Sequence, residues 1–340
     1  MNLSAETIPA LEERFTEPPG WRWHQFTRQG LHGPRRIRFG SVFPESRIPD
    51  AVVVCLPGLS EYAEKYFEIA RSCLDKNLAF WVLDWMGQGT SGRYLQNPHK
   101  RHSAGVEEDV ADLHYFILEY IKHSSVHPDK GRIPLAMLGH SMGANIGLHY
   151  LHAHPGMFEC AAFSAPFFGF KMFEGWPCPL PVLAARLLNT FSGSSYASGQ
   201  GDWDGEDRKT PGEDAFSSDP VRGAVHNVWM QNTPSLQIGG VTYGWIYSFV
   251  QSCRALRRPS FLKSIQTPCL LAEAGQETLV SNRAIHSVSS RLPHAELIDF
   301  PESRHEILME KDAVRTVFFD HFYKLIRECI IERPETLKPF

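Results

Sequence analysis

The chain has 340 residues, enough for one large domain or two small ones. Hydrophobic residues make up 43%, which with 26 glycines is the proportion of a globular chain that buries a full core. Lys and Arg number 34 against 38 Asp and Glu, a formal charge of −4, so there is no basic excess to pair with a phosphate backbone and nucleic acid is not an expected partner. Three acids and a proline in the first fifteen residues, without a basic start or an apolar run, argue against a signal peptide. Nowhere do about eighteen apolar residues run together, which excludes an ordinary transmembrane helix. The seven cysteines are scattered and free of C-x-x-C spacing, as expected of buried thiols in a reducing, cytoplasmic compartment and not of a disulfide framework or zinc ribbon.

Taken along the chain, residues 1–30 read as an N-terminal segment, and Arg35–Phe43 as antiparallel edge strand. Ala51–Leu56 (A-V-V-V-C-L), bounded by Asp50 and Pro57-Gly58, predicts a buried strand, and Glu64–Leu74 a helix. Leu78–Leu83 predicts a second strand, and Val106–Ile121 an amphipathic helix with Val110, Leu113, Phe116, Ile117 and Ile121 on one stripe. A strand over Ile133–Leu138, a helix over Met142–His154 that must stop before Pro155-Gly156, and a strand over Cys160–Ser164 follow. The alternation resumes with strand Pro268–Ala272, helix Ser281–Arg291, strand Ala295–Phe300 and helix Ala313–Ile331. Such alternation predicts an α/β fold, a mostly parallel central sheet with helices on both faces. Residues 31–166 and 261–340 form this expected core, and 167–260 interrupt it as a largely helical cap.

The sharpest chemical signal is Gly139-His140-Ser141-Met142-Gly143, a G-x-S-x-G that directly follows a predicted strand and directly precedes a helix. That context puts Ser141 on a tight turn with its hydroxyl exposed, which marks it as the candidate nucleophile. Its base should follow late in the chain. Of the late histidines, His286 and His321 fall within helices and His294 before the last strand, which leaves His305 in the loop after that strand. The orienting acid is expected after strand Pro268–Ala272, where Glu277 is best placed and Glu273 and Asp299 are the alternatives. The oxyanion donors are expected to be the backbone N–H groups of Met142 and of Leu59 in the loop Pro57-Gly58-Leu59. Serine chemistry needs no cofactor, and none is predicted. Asp202–Glu213 has only a partial calcium-loop pattern, because Asp207 stands where glycine is needed, and it reads as a solvated loop. His149, His152 and His154 share a helix but lack H-E-x-x-H spacing, so they do not predict a metal site.

These residues carry a resemblance. P-G-L-S-E-Y-A-E-K-Y at 57–66, D-W-M-G-Q-G-T-S-G-R at 84–93, G-H-S-M-G-A at 139–144, G-G-V-T-Y-G-W at 239–245 and H-E-I-L-M-E-K-D at 305–312 resemble the α/β-hydrolase superfamily, in its monoacylglycerol lipase and bacterial lysophospholipase branch. The resemblance implies an α/β-hydrolase fold and a serine carboxylester hydrolase acting on lipid esters. It also implies Glu277 as the acid and a structural role for Asp84. One departure is Pro57-Gly58 where the family often has His-Gly, which removes a hydrogen bond that orders the oxyanion loop.

The segment Phe167–Phe191 is the clue to substrate. Lys171, Glu174 and its prolines rule out a membrane span. Phe167, Phe168, Phe170, Phe173 and Trp176, with Met172, Leu183 and Leu187, are expected to wall an acyl-chain tunnel whose outer face makes transient contact with a membrane surface. The expected substrate is a lysophospholipid or monoacylglycerol. The alternatives are a short-chain esterase, acyltransferase or aminopeptidase-like hydrolase with the same triad, and a silent hydrolase-fold binding protein. The sequence carries no signal for oligomeric state.

Overall fold

The computed structural model describes residues 11–45, 47–127, 131–177, 179–205 and 216–333. One eight-stranded sheet organises them. Its strands are β1 (Arg22–Gly30), β2 (Gly33–Val42), β3 (Ala51–Leu56), β4 (Leu78–Leu83), β5 (Leu135–His140), β6 (Cys160–Ser164), β7 (Cys269–Ala274) and β8 (Ala295–Phe300). They lie in the order β1-β2-β4-β3-β5-β6-β7-β8. β1 pairs antiparallel with β2 and β2 with β4, while every pairing from β4 to β8 is parallel. Within the expected N-terminal segment 1–30, Arg22–Gly30 is a strand of the sheet, and residues 1–10 lie outside the described residues. The strand's burial pattern shows no apolar alternation, since only Phe26 is buried and its neighbours are half-buried or exposed.

Every residue of β3 through β7 is buried, which is why those strands read as unbroken apolar runs without alternation. Alternate side chains still sort to opposite faces. Val52, Val54, Leu56, Met137 and Phe163 join one core with helices α2 (Val106–Phe116), α3 (Met142–Ala153) and α7 (Asn282–Ser289). Val53, Cys55, Leu138, Ala162 and Ala272 join the other with α1 (Phe67–Leu74) and α8 (Asp312–Ile326).

Between β6 and β7 the chain leaves the sheet and forms α4 (Pro179–Ser192), α5 (Pro220–Asn232) and α6 (Tyr243–Ala255). The three are held differently. α6 sends Trp245 and Phe249 into the main core. α5 is bolted down by Arg222, whose buried guanidinium meets Glu68 at 2.8 Å, Asp312 at 2.6 Å and Asp219 at 3.0 Å. α4 rests against α6 but buries only Ala185, leaving Leu180, Leu183, Leu187, Leu188 and Phe191 in solvent. Part of the acidic stretch weighed as a calcium loop, including Glu213, lies outside the described residues. No helix among the described residues is long and apolar enough to cross a membrane.

Candidate active site

The turn between β5 and α3 is shaped by what its glycines avoid. A Cβ on Gly143 would stand 2.0 Å from the Leu56 carbonyl oxygen, and one on Gly139 would meet the Ala144 Cα at 2.9 Å. With side chains absent at both positions, α3 packs directly on β3 and the turn closes. Ser141 then takes φ +48° and ψ −112°, in the left-handed half of the map where a side chain is strained. Its N–H donates to Ser164 O at 3.0 Å and its carbonyl accepts from the Phe167 N–H at 3.0 Å, so neighbouring strand and cap root fix it from both sides.

The other two residues arrive on loops clamped together. Gly275 N–H donates to Phe300 O and Gln276 N–H to Ser303 O, both at 2.9 Å, which fastens the loop after β7 to the turn after β8. Glu310, fully buried, holds that turn by accepting from the Arg304 N–H at 2.8 Å. The result is a continuous relay. His305 Nε2 lies 2.9 Å from Ser141 Oγ, and His305 Nδ1 lies 2.6 Å from Glu277 Oε2. All three side chains are buried. Glu277 Oε1 accepts in turn from the N–H groups of Thr278, Leu279 and Val280 at 2.9, 2.8 and 3.2 Å. Burial alone would raise its pKa, but His305 and the backbone N–H groups outweigh burial and hold the carboxyl below its ordinary range. The alternative acids stand elsewhere: Glu273 binds His286 Nε2 at 2.9 Å, and Asp299 sits beside Glu273 in the β7–β8 ladder.

Leu59 and Met142 line one small space with Trp245 and Phe249. Met142 is the first residue of α3, so its N–H has no partner within the helix. The loop that carries Leu59 is ordered without the missing histidine. Glu61 Oε2 accepts from the Gly58 N–H and Tyr66 O–H, Gln88 Nε2 donates to Gly58 O and Glu61 O at 2.9 Å, and Trp85 Nε1 donates to Pro57 O at 2.8 Å. Asp84 accepts from the Ala63 and Thr90 N–H groups and from Arg38, which makes it a turn clamp and keeps it away from the relay. Glu61 and Gln88 were missed by sequence reasoning. The signal that could have found them is their place inside two of the familiar segments.

The aromatic residues divide. Phe168, Phe170, Phe173 and Trp176 line a cavity of about 570 Å³ with Val182, Val250 and Cys253, beside the relay and not containing it: none of Ser141, Glu277, His305, Leu59 or Met142 lines it. Phe167 does not line it; it stacks under the cap on Trp245, with ring centres 5.9 Å apart. Met172, Leu183 and Leu187, expected in the tunnel wall, are 69%, 54% and 52% exposed and point outward. An apolar stripe on a helix says that the face is apolar, not what lies against it.

The buried His140 and the half-buried His149 set a pH dependence. Burial pushes His140 and His149 down to about 4. The unfolded chain binds these protons at the ordinary histidine value of about 6.5, so the stability is fully present above that pH. It is lost as pH falls through the window from about 6.5 to about 4, by up to about 3 kcal/mol per histidine. Asp109, raised by burial to about 7, contributes with the opposite sign over the same window, so the test is differential: on acidification the wild type should lose more of its urea midpoint than His149→Gln does. An unchanged slope in that variant would refute the assignment.

The serine aminopeptidase, S33, family matches residues 47–312. The chain belongs to that family. Lysophospholipase L2 of Escherichia coli K12 is 29% identical to this chain over 286 residues, covering 79% of this chain and 78% of that protein. Monoacylglycerol lipase of Mycolicibacterium smegmatis is 25% identical over 290 residues, covering 85% and 91%. Among solved structures, a soluble variant of monoglyceride lipase from Saccharomyces cerevisiae in complex with a substrate analog superposes with TM-score 0.69 at 19% identity, covering 94% of this chain and 99% of that one. The fold is an α/β-hydrolase.

Proposed function

We propose that the protein is a serine hydrolase that cleaves single-chain lipid esters through an acyl-enzyme. The observation that carries this reading is the unbroken relay Ser141–His305–Glu277, with Ser141 tied to the root of the cap through the Phe167 N–H. With Nδ1–H donated to Glu277, His305 Nε2 accepts the Ser141 proton as Oγ attacks the ester carbonyl. The Leu59 and Met142 N–H groups receive the oxyanion. As the tetrahedral intermediate collapses, His305 Nε2–H passes the proton to the departing alcohol, and water repeats the two steps to free the acid.

The family's name raises the aminopeptidase alternative, and the cavity speaks against it. A free amino terminus needs an anionic partner, yet the cavity rim carries Arg254, Arg257, Arg283 and Arg291. Glu174 is the one acid among the described residues that line it, and it accepts from Ser281 Oγ. Arg291 is taken up by Ser287 and the Arg257 carbonyl, and the other three guanidinium groups favour a phosphate-bearing head group, hence a lysophospholipid over a monoacylglycerol. The lipase and lysophospholipase names of the relatives support the same substrate class. The exposed face of α4, with Leu183, Leu187 and Phe191 beside Met172 and Trp176, suits transient contact with a lipid surface. The six described cysteines are free thiols, in keeping with a cytoplasmic location.

The test is an ester series. Each methylene that the cavity desolvates contributes roughly 0.8 kcal/mol, up to about fourfold in kcat/KM. Activity should climb from acetyl to medium and long acyl chains, and lysophospholipid should exceed monoacylglycerol by a margin that salt reduces. An enzyme fastest on acetyl esters would remove the lipid reading and leave only the triad chemistry.

A further inference from the structure

Beneath the relay lies a second layer of charge. In a turn or strand, the residue beside a catalytic one tends to face the opposite side. His140 precedes Ser141, Glu306 follows His305, and Glu61 lies two residues beyond Leu59. All three neighbours are buried and converge, with one ligand-type atom of each inside 4.8 Å of the others. Two carboxylates and an imidazole at that spacing suit a cation, and the chain supplies one itself. Lys65, 1% exposed, places Nζ 2.7 Å from Glu61 Oε1 and 2.6 Å from Glu306 Oε1.

Resting on the hydrolase reading above, we infer that Lys65 is a positioning residue: its ammonium, gripped by Glu61 and Glu306, holds the oxyanion loop and the His305 turn in one geometry for the reaction. The path to the loop is short. Glu61 uses its other oxygen to accept the Gly58 N–H, and the next peptide presents the Leu59 N–H. The path to the base is shorter, since Glu306 adjoins His305, and the Glu306 N–H is itself tied to Phe216 O at 2.6 Å. A directional ion pair fixes the spacing of two loops in a way that apolar packing, which has no preferred direction, does not. Catalytic donors must be held within about 0.5 Å, so a loosened pin costs rate before it costs binding.

The experiment measures wild-type hydrolysis of p-nitrophenyl octanoate first. Absence of turnover there would defeat the hydrolase reading itself. Two variants then address Lys65 without leaving a bare charge. Glu306→Gln keeps the Lys65–Glu61 pair balanced, and the combination Glu61→Gln, Lys65→Met, Glu306→Gln removes all three charges. The expected result is kcat lower by about tenfold in the first and about 10²-fold in the second, comparable to losing one oxyanion donor. KM should stay within about threefold in both. Wild-type kcat in these variants, or a loss confined to KM, overturns the proposal. Should the triple variant fail to fold, Glu306→Gln decides alone by the same criteria.

Discussion

Ser141→Ala is expected to abolish covalent labelling by a fluorophosphonate and to lower turnover by about 10⁶, as removal of the nucleophile does in serine proteases that work as a unit. The Tm should hardly move. Ser141 Oγ has its relay contact with His305 Nε2, whereas the hydrogen bonds that fix the turn come from its backbone N–H and carbonyl, which alanine keeps. Alanine also keeps the Cβ at φ +48°, so the backbone strain is neither relieved nor increased. Labelling by the probe in a clean Ser141→Ala preparation would remove Ser141 from the chemistry. A silent binding protein on this fold would fail earlier, because the wild-type chain would not be labelled at all.

Glu277→Gln should lower kcat by about 10⁴ while the protein stays folded. The amide oxygen can still accept the Thr278, Leu279 and Val280 N–H groups, so the loop is kept. The amide nitrogen, however, then faces His305 Nδ1 as a donor. The imidazole must accept there and carry its proton on Nε2, the atom that should take the serine proton. Glu273→Gln and Asp299→Asn should cost little, since Glu273 serves His286 on α7 and Asp299 lies in the sheet ladder. Steady-state kinetics on the three variants separates these outcomes. A large loss in either control instead of Glu277→Gln would place the orienting acid elsewhere.

Much of the site could be named before any coordinates. G-H-S-M-G carries its own geometry, because the two glycines and the strand-to-helix context belong to five consecutive residues. The elimination that left His305 needed only element boundaries, and those boundaries moved by a few residues at most. Val106–Ile121, for example, begins as expected at Val106 and runs on through a wider π-type turn at Ile117–Ile121. Residues 167–260 were legible as a largely helical break in rhythm, and α4, α5 and α6 lie there.

What escaped depends on contacts between distant residues. The edge strand β1 has one buried side chain, Phe26, so no alternation marks it; it is a strand because β2 accepts its backbone hydrogen bonds. The leucines of α4 read as a pocket wall, and only packing shows that the helix turns them outward and buries Ala185. The loop that carries Leu59 is held by Glu61 and Tyr66 within the loop region and by Gln88 and Trp85 about thirty residues on, contacts that no local spacing announces. By itself the sequence determined the doubly covered parallel sheet, the nucleophile turn and the histidine, since each follows from local periodicity or from a short motif whose glycines dictate backbone shape. The sequence ranked Glu277 ahead of Glu273 and Asp299, and the structure shows it facing His305; the tertiary structure alone decided which aromatic residues line a cavity and that Lys65 joins two loops. A carboxylate's partner, a side chain's cover and a buried ion's counter-charge are set by which surfaces meet in space, and one-dimensional spacing does not contain that information.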